Sequence, residues 1–229
     1  MDYYIDTECS EGIRKPIWWL PTIGKFNKPV WQIELVSIAL ISGGDQLYEA
    51  INKDFHPRYC NSWVRKHVLT KLPPRKITTV AGDAEFMGEE LFPSPVMMLT
   101  VPNPIYKSLR QIAADIVEFV EGNNARFFGY YCDYDWVVFC SLFESMASLP
   151  KEFPKYCRDL KQMFDEFAEY MSEDFGISFD KAKTMIMGSE DYPKEDGNEH
   201  NAAADAEWNR ELHYFLLKAK EIRDAKTGV

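Results

Sequence analysis

The stretch "YYIDTECS" at residues 3–10 begins as a β-strand and then places two carboxylates close together. Its aromatic and β-branched start predicts a strand over residues 3–8. Asp6 and Glu8 stand two positions apart, so their side chains point to the same face of that strand. Like charges that are buried side by side are strongly unfavourable unless something compensates them. The stretch therefore raises the question of which partner stabilises this pair.

Length and net charge limit the domain number and the classes of protein to which this chain can belong. The chain has 229 residues and a formal net charge of −10. This length suits one domain with insertions or two small domains; we expect a single domain over residues 1–229, with insertions at about 13–30 and 76–104. The acidic balance disfavours broad binding of nucleic acid through a basic face. It remains compatible with a nucleic-acid enzyme whose acidic site is neutralised by metal ions.

Cysteine usage and hydropathy indicate the compartment. The five cysteines include no CxxC pair, which argues against a disulfide framework or a zinc ribbon and favours a reducing environment. The first residues are acidic and lack the basic and apolar regions of a secretory signal. The longest apolar stretch, "IELVSIALIS" at residues 33–42, is too short to span a bilayer. These features predict a cytoplasmic protein without a membrane partner.

The pattern of apolar and turn residues predicts strands first and then alternating helices and strands. That order indicates an α/β fold with a mixed central β-sheet flanked by helices. Segments 13–30, 73–104 and 172–199 lack a clear period and are expected to be loops or insertions. The predicted strands cover 3–8, 31–42, 46–52 and 125–132; the predicted helices cover 61–72, 105–122, 134–146 and 201–225, with a further helix in 156–171 that starts directly or after a short strand.

Three acidic motifs stand at intervals along the chain. They are "DTE" at 6–8, "CDYD" at 132–135 and "HNAAADA" at 200–206. In the last motif the alanines allow a helix to approach a sheet closely, which would bring Asp205 beside Asp6. Divalent cations are then the compensation that the first strand needs, because Mg²⁺ prefers carboxylate oxygens and water. A pair of such ions clamps a phosphodiester, and a nearby histidine deprotonates the attacking water.

The order of these motifs resembles the histidine branch of the DEDD superfamily of 3′–5′ exonucleases, which has the RNase H-like fold. That branch has D-x-E, an aromatic residue followed by Asp, and H-x-A-x-x-D-A; here they are "DTE", "YD" and "HNAAADA". The chain further resembles the RNase AS type, a polyadenylate-specific exoribonuclease. That similarity covers most of the chain except 13–30, 76–104 and 172–198, and it rests on "IELVSIAL", "WVRKHVLTKLP", "YDWVVFCSLF" and "LPKEFPKYCRDLKQMF".

The resemblance implies the roles of the motif residues. It makes Asp6, Glu8, Asp135 and Asp205 the ligands of two Mg²⁺ ions, for which Mn²⁺ can substitute, and His200 the general base. By the same resemblance Asp6 bridges both ions, Glu8 and Asp205 hold the ion that activates water, and Asp135 serves the ion beside the leaving oxygen. The candidate substrate-binding residues are Thr7 and Cys9 beside the terminal sugar, together with Glu34 and Arg65.

Several residues keep two interpretations at this level. Arg65 belongs to a basic island that forms either a solvated helix face or a phosphate contact. Glu34 lies either on an exposed face or toward the site. Trp18 and Trp19 either stack on bases or pack their loop. Asp133 is expected to cap the helix that follows it, which leaves Asp135 as the ligand.

The resulting expectation is an enzyme that degrades single-stranded RNA from its 3′ end to nucleoside 5′-monophosphates, with an adenosine bias implied by the resemblance. A DNA 3′–5′ exonuclease of the proofreading type is the alternative within enzymes. A catalytically silent module that binds a nucleic-acid end is the alternative outside them. The resemblance also makes a homodimer plausible.

Overall fold

Within the described residues, six strands form one mixed β-sheet and two further strands form a separate antiparallel ladder. The computed structural model describes residues 1–14, 30–57, 60–80, 98–120, 124–195 and 197–227. The strands are β1 (Asp2–Arg14), β2 (Val30–Ser42), β3 (Leu47–Asn52), β4 (Lys76–Val80), β5 (Met98–Pro102), β6 (Tyr106–Lys107), β7 (Arg126–Gly129) and β8 (Arg158–Asp159). The α-helices are α1 (Ser62–His67), α2 (Leu109–Phe119), α3 (Asp133–Ser141), α4 (Leu160–Phe175), α5 (Phe179–Met187) and α6 (Ala202–Thr227).

The large sheet has the strand order β6-β3-β2-β1-β7-β8. Its first three strands along the chain pair antiparallel, which confirms the prediction that the chain begins with consecutive strands. The pairs β1–β7, β7–β8 and β3–β6 are parallel. This mixed sheet with flanking helices confirms the predicted α/β class and is consistent with the RNase H-like fold that the resemblance implied.

The two faces of the sheet bury different side chains of the first strand. Tyr3 and Ile5 lie in a core cluster with residues of α2 and α3, among them Ile112 and Phe139. Tyr4 lies on the other face, in a cluster with residues of α4 and α6. This alternation follows from the two-residue period of a strand. Helices α2 and α3 therefore cover one face, whereas α4 and α6 cover the other.

Helix α6 lies close to the sheet because small side chains form the contact. Ala202 and Ala206 are buried against Ala39 and Ile41 of β2. One turn further along, the Asn209 side-chain amide donates a 3.0 Å hydrogen bond to the Ile5 carbonyl. The predicted close approach of this helix is thus confirmed.

None of the helices within the described ranges has the length and apolar character that crossing a membrane requires.

The first strand is longer than predicted. It continues beyond residue 8 to Arg14 because β2 pairs with it along its length. Glu8 lies opposite Ser37 and Cys9 opposite Leu35, so one extra β2 residue forms a bulge between them. The predicted loop 13–30 is therefore wrong at its two ends, which belong to the hairpin strands. Trp18 and Trp19 lie outside the described residues.

Local caps correct two predicted helices. Asn61 caps α1, since its side chain accepts a 2.8 Å hydrogen bond from the Val64 amide, but α1 ends at His67 rather than at residue 72. The predicted helix 105–122 starts too early. Ser108 and Gln111 form a capping box there, so the helix begins at Leu109, and Tyr106 and Lys107 join the sheet as β6.

Two segments that were expected to be irregular contain regular structure. The segment 73–104 includes β4 and β5, which pair antiparallel; residues 81–97 lie outside the described ranges. The acidic segment 172–199 includes α5, whose buried side chains are Ala182 and Ile186. The prediction of a loop is wrong there because charged residues cover only the outer side of this helix. The alternative of a short strand before the helix in 156–171 is confirmed by β8 and α4.

Candidate active site

Asp6 and Glu8 lie on the face of β1 that α6 covers. Asp6 stands opposite Ala39 in the antiparallel ladder, and Ala39 packs against Ala206 of α6. Glu8 is buried with 9% of its surface exposed, and Asp6 is partly buried. The two carboxylates therefore share one face, as the spacing in the sequence indicated.

The start of α6 supplies the histidine motif. Asn201 precedes the helix, and its side-chain oxygen accepts a 3.1 Å hydrogen bond from the Ala204 amide. His200 adopts a left-handed conformation with φ of 66°, and its backbone N–H donates a 2.8 Å hydrogen bond to Asp205 Oδ2. A non-glycine residue in this region of φ marks local strain that surrounding contacts must hold. The motif thus folds back on itself and brings His200 over Asp205.

Asp135 reaches the site from the opposite face of the sheet. It is buried in the first turn of α3. Its Oδ1 accepts two hydrogen bonds from Thr7, one from the backbone N–H at 2.9 Å and one from the hydroxyl at 2.6 Å. Thr7 was predicted beside the terminal sugar, and in this structure its hydroxyl holds Asp135. The sugar contact of the Thr7–Cys9 backbone stays a prediction.

The predicted role of Asp133 as the cap of α3 is wrong. Cys132 occupies the N-cap position, and Asp133 is the first residue inside the helix and is exposed. The chain turns tightly just before this point, with Tyr131 at φ of 54°. A side chain at Gly129 would meet Cys132 Cβ at 2.8 Å. This close turn, rather than a capping carboxylate, sets the start of α3.

Burial and mutual repulsion perturb the four carboxylates. Burial, followed by the charges of Asp135, Glu8 and Asp205, raises the pKa of Asp6 well above its ordinary value. Burial and the Asp205 and Asp135 charges raise the pKa of Glu8 to about 8. A cluster of this kind binds protons when no other cation neutralises it.

The other two carboxylates are partly relieved by hydrogen bonds. Burial raises the pKa of Asp135 to about 6, and the hydrogen bonds from Thr7 oppose this increase. Burial also raises the pKa of Asp205, and the hydrogen bond from the His200 N–H opposes this increase. These hydrogen bonds favour the ionised carboxylates, which are the form that binds a metal ion.

The donor set fits a hard divalent cation. Glu8, His200 and Asp205 each offer one ligand atom, and these three atoms lie within 4.8 Å of one another. The charge of Asp135 acts on Asp6 and Glu8, and the charge of Asp205 acts in turn on Asp135. Oxygen-rich sites of this charge suit Mg²⁺ or Mn²⁺. The residues present are therefore compatible with the predicted metal centre.

The segment around α1 forms a wall beside the site that the motif analysis missed. The Trp63 ring meets the His200 ring edge-on, with centroids 4.7 Å apart. The Lys71 ammonium donates a hydrogen bond to the Glu199 carbonyl, and its charge lowers the pKa of both Glu8 and Asp205. The sequence signals are a tryptophan in the predicted helix 61–72 and the basic island, and neither indicates which element these side chains contact.

The remaining predicted substrate residues lie on three different elements. Cys9 is partly buried on β1, where burial and the nearby Asp135 charge raise the pKa of its thiol to about 12. Glu34 is partly buried on β2 and lies opposite Ser10. Arg65 is exposed on α1, and its Nε donates a 2.9 Å hydrogen bond to the Cys60 carbonyl.

A substitution at Thr7 tests the link between β1 and α3. In Thr7→Val the hydroxyl donor is lost while the side-chain shape is kept, so the pKa of Asp135 should rise. A hydrogen bond to a charged group contributes about 1.5–3 kcal/mol. We therefore expect kcat/KM at neutral pH to fall by at least about tenfold, with a smaller deficit at higher pH, where Asp135 ionises again.

The measurement is the pH dependence of kcat/KM for the wild type, Thr7→Val and Thr7→Ser. The serine variant retains the hydroxyl and should retain the wild-type profile. Thr70→Val is the matched control, because the Thr70 hydroxyl bonds only the helix carbonyl of Lys66 in an exposed position. An unchanged profile in Thr7→Val would show that the hydroxyl does not hold Asp135 during turnover.

Comparison with known proteins reveals two relatives. Over 137 residues the chain is 30% identical to a 3′-5′ exoribonuclease of Mycobacterium tuberculosis strain CDC 1551 / Oshkosh, and equally to a 3′-5′ exoribonuclease of strain ATCC 25618 / H37Rv. The match covers 58% of this chain and 66% of each relative, just under two thirds of their length. No protein-family model matches the chain. The similarity supports a relationship with 3′-5′ exonucleases.

Proposed function

We propose that this protein is a divalent-metal-dependent 3′–5′ exoribonuclease that releases nucleoside 5′-monophosphates from single-stranded RNA. The observation that carries the proposal is the convergence of Asp6, Glu8, Asp135 and Asp205 with His200 at one edge of the sheet. The similarity to two 3′-5′ exoribonucleases agrees with it. Acidic side chains whose pKa is raised by burial and by neighbouring carboxylates mark a candidate functional site.

The carboxylates are proposed to hold two Mg²⁺ ions, for which Mn²⁺ can substitute. Asp6 would contact both, Glu8 and Asp205 would hold one, and Asp135 would hold the other. When bound, the ions neutralise the phosphodiester and supply an activated water molecule. Thr7 keeps Asp135 ionised and oriented for this task.

His200 is proposed to act as the general base. Its ring lies beside Glu8 and Asp205, so a ring nitrogen can accept a proton from water held between these carboxylates. The hydrogen bond from the His200 N–H to Asp205 Oδ2 fixes the backbone of the base relative to that carboxylate. This proximity supports the proposed role, because a general base must lie within reach of the proton that it removes.

The proposed substrate preference rests on the walls of the site rather than on its carboxylates, because a metal site reads phosphate and not bases. The 2′-hydroxyl distinguishes RNA from DNA, and the backbone from Thr7 to Cys9 is the candidate contact. The bias toward adenosine rests on the resemblance to the polyadenylate-specific type alone.

Digestion of matched homopolymers tests the substrate. We expect single-stranded RNA to be degraded faster than poly(dA), since only RNA offers the 2′-hydroxyl, and poly(A) to be degraded fastest among the A, C, U and G polymers. The measurement is the time course of mononucleotide release in Mg²⁺, with Asp6→Asn as the blank for contaminating nucleases. Equal rates on all four RNAs would remove the adenosine bias. Faster loss of poly(dA) than of poly(A) would identify a DNA exonuclease, and binding of a 3′ end without release would identify a silent module.

We also propose that the protein is a single exonuclease domain over residues 1–229 and that it works in the cytoplasm as a homodimer. Light scattering of the purified protein reports the dimer as twice the mass of the 229-residue chain. A monomer that is fully active would remove this part of the proposal and leave the catalytic part intact.

A further inference from the structure

His200 stands on a strained backbone, and its ring needs support from outside its own motif. The residue has φ of 66° and precedes α6 by two positions. The hydrogen bond from its backbone N–H to Asp205 fixes the main chain, but the side chain can still rotate about its torsions. The second of these torsions is broad in histidine. A base that acts on one water molecule requires a narrower range of ring orientations.

Trp63 contacts the ring of His200 directly. The two ring centroids are 4.7 Å apart with an interplanar angle of 74°. His67, one turn further along α1, stacks on Trp63 with centroids 5.0 Å apart. His67 also lies edge-on to His200 at 6.1 Å. Trp63 is thus held by His67 and presents its ring to the proposed base.

The element that carries Trp63 is itself anchored on both sides. Val64 and Val68 are buried in a cluster with Val36 of the β2 bulge. The Lys71 ammonium donates to the carbonyl of Glu199, the residue before His200. The segment that contains α1 therefore contacts the His200 segment through the rings of Trp63 and His67 and through a hydrogen bond from the Lys71 side chain to a backbone carbonyl.

We propose that Trp63 is a positioning residue that holds the His200 imidazole in its catalytic orientation. The inference rests on the proposed exoribonuclease function. Edge-on aromatic contacts shift side-chain populations by roughly 2- to 12-fold. Loss of the indole therefore lowers the fraction of enzyme whose base is aligned, and kcat falls by about the same factor. KM stays at its wild-type value, because Trp63 acts through His200 and not on the substrate.

An exposed tryptophan beside a nuclease site has a competing role as a platform for a base. Trp63 retains 49% of its surface exposed, and unpaired bases stack on aromatic rings of this kind. A platform predicts the opposite kinetic signature, in which KM rises and kcat is retained. The two roles are therefore separated by the same measurement.

The test is a double-mutant cycle between Trp63 and His200. We compare kcat and KM on single-stranded RNA for the wild type, Trp63→Ala, His200→Ala and the double variant. If Trp63 acts through His200, Trp63→Ala lowers kcat by about tenfold in the wild type and has no further effect in the His200→Ala background. Multiplicative losses in the double variant, or a rise in KM alone, would overturn the proposal.

Two further variants at position 63 separate an aromatic contact from apolar packing. Trp63→Phe retains an aromatic edge and should recover most of kcat, whereas Trp63→Leu retains apolar packing of α1 and should behave like Trp63→Ala. If Trp63→Leu recovers kcat as well as Trp63→Phe does, the role is packing and the proposal fails. Tyr214→Ala is the matched control, because Tyr214 is a half-exposed aromatic residue on α6, nine positions and about 13 Å beyond Asp205.

A second measurement is independent of activity. Ring currents from Trp63 shift the carbon-bound protons of the His200 imidazole, which can be assigned by their loss in His200→Ala. In the metal-free protein we expect these resonances to move in Trp63→Ala and to move less in Trp63→Phe. Unmoved resonances would refute the contact. This measurement still decides the position of His200 if the wild type degrades no RNA, so failure of the proposed function is distinguishable from failure of this inference.

Discussion

Asp6→Asn should abolish RNA hydrolysis. Asp6 lies among three other carboxylates, and it is the residue proposed to contact both ions. An amide at this position removes a charge and one anionic ligand from each ion. We expect no turnover above background for Asp6→Asn, and the same result for Asp205→Asn and Asp135→Asn.

The same substitution should change stability in a direction that depends on the metal. In the folded, metal-free protein the pKa of Asp6 is raised, and that of Glu8 is raised to about 8. The folded state therefore binds more protons than the unfolded state between about pH 4.5 and 8, so the wild type loses stability as pH rises through that window. Mg²⁺ binds the ionised folded state and should reverse the loss by mass action. Asp6→Asn should flatten both the pH dependence and the effect of Mg²⁺.

The measurements are mononucleotide release and thermal unfolding at pH 5 and pH 8, each with Mg²⁺ and with excess EDTA. Asp133→Asn is the matched control, since Asp133 is exposed and two positions from Asp135 on the same helix. It should keep activity and the response to Mg²⁺. Full wild-type activity in EDTA would refute the metal mechanism, and loss of activity in Asp133→Asn but not in Asp135→Asn would reverse the choice between these two residues.

His200→Ala should slow hydrolysis by roughly 10²–10⁴-fold, the usual contribution of general acid–base catalysis. The alanine variant removes the proton acceptor but keeps the backbone N–H that bonds Asp205 Oδ2. The four carboxylates remain, so we expect the Mg²⁺-dependent rise in melting temperature to persist. RNA affinity, measured in Ca²⁺ to suppress turnover, should also be close to that of the wild type.

This combination distinguishes a base from a metal ligand. If His200 is chiefly a ligand, His200→Ala loses the Mg²⁺-dependent stabilisation together with activity. His56→Ala is the control, because His56 is an exposed histidine that precedes α1. A wild-type rate at neutral pH in His200→Ala would contradict the assignment of the base.

Local periodicity explains how much of the fold could be predicted. The strands predicted over 3–8, 31–42 and 46–52 and the long final helix are properties of neighbouring residues, and the structure confirms that they are present. The prediction that Asp135 rather than Asp133 is a ligand rests on the family motif. The accompanying prediction that Asp133 caps α3 is wrong, because the chain turns tightly at Gly129 and Tyr131 and α3 starts one residue earlier than predicted.

Local sequence patterns predict the α/β class, the shared face of Asp6 and Glu8, and the small-residue side on which α6 meets the sheet, because a two-residue strand period and a run of alanines act over a few residues. The packing of distant elements adds three contacts: Thr7 holds Asp135 on the face that α3 covers, Lys71 bonds the Glu199 carbonyl, and Trp63 lies against His200. These pairs are more than a hundred residues apart along the chain. Their contacts depend on how β1, α1, α3 and α6 pack together, and no local pattern contains that information.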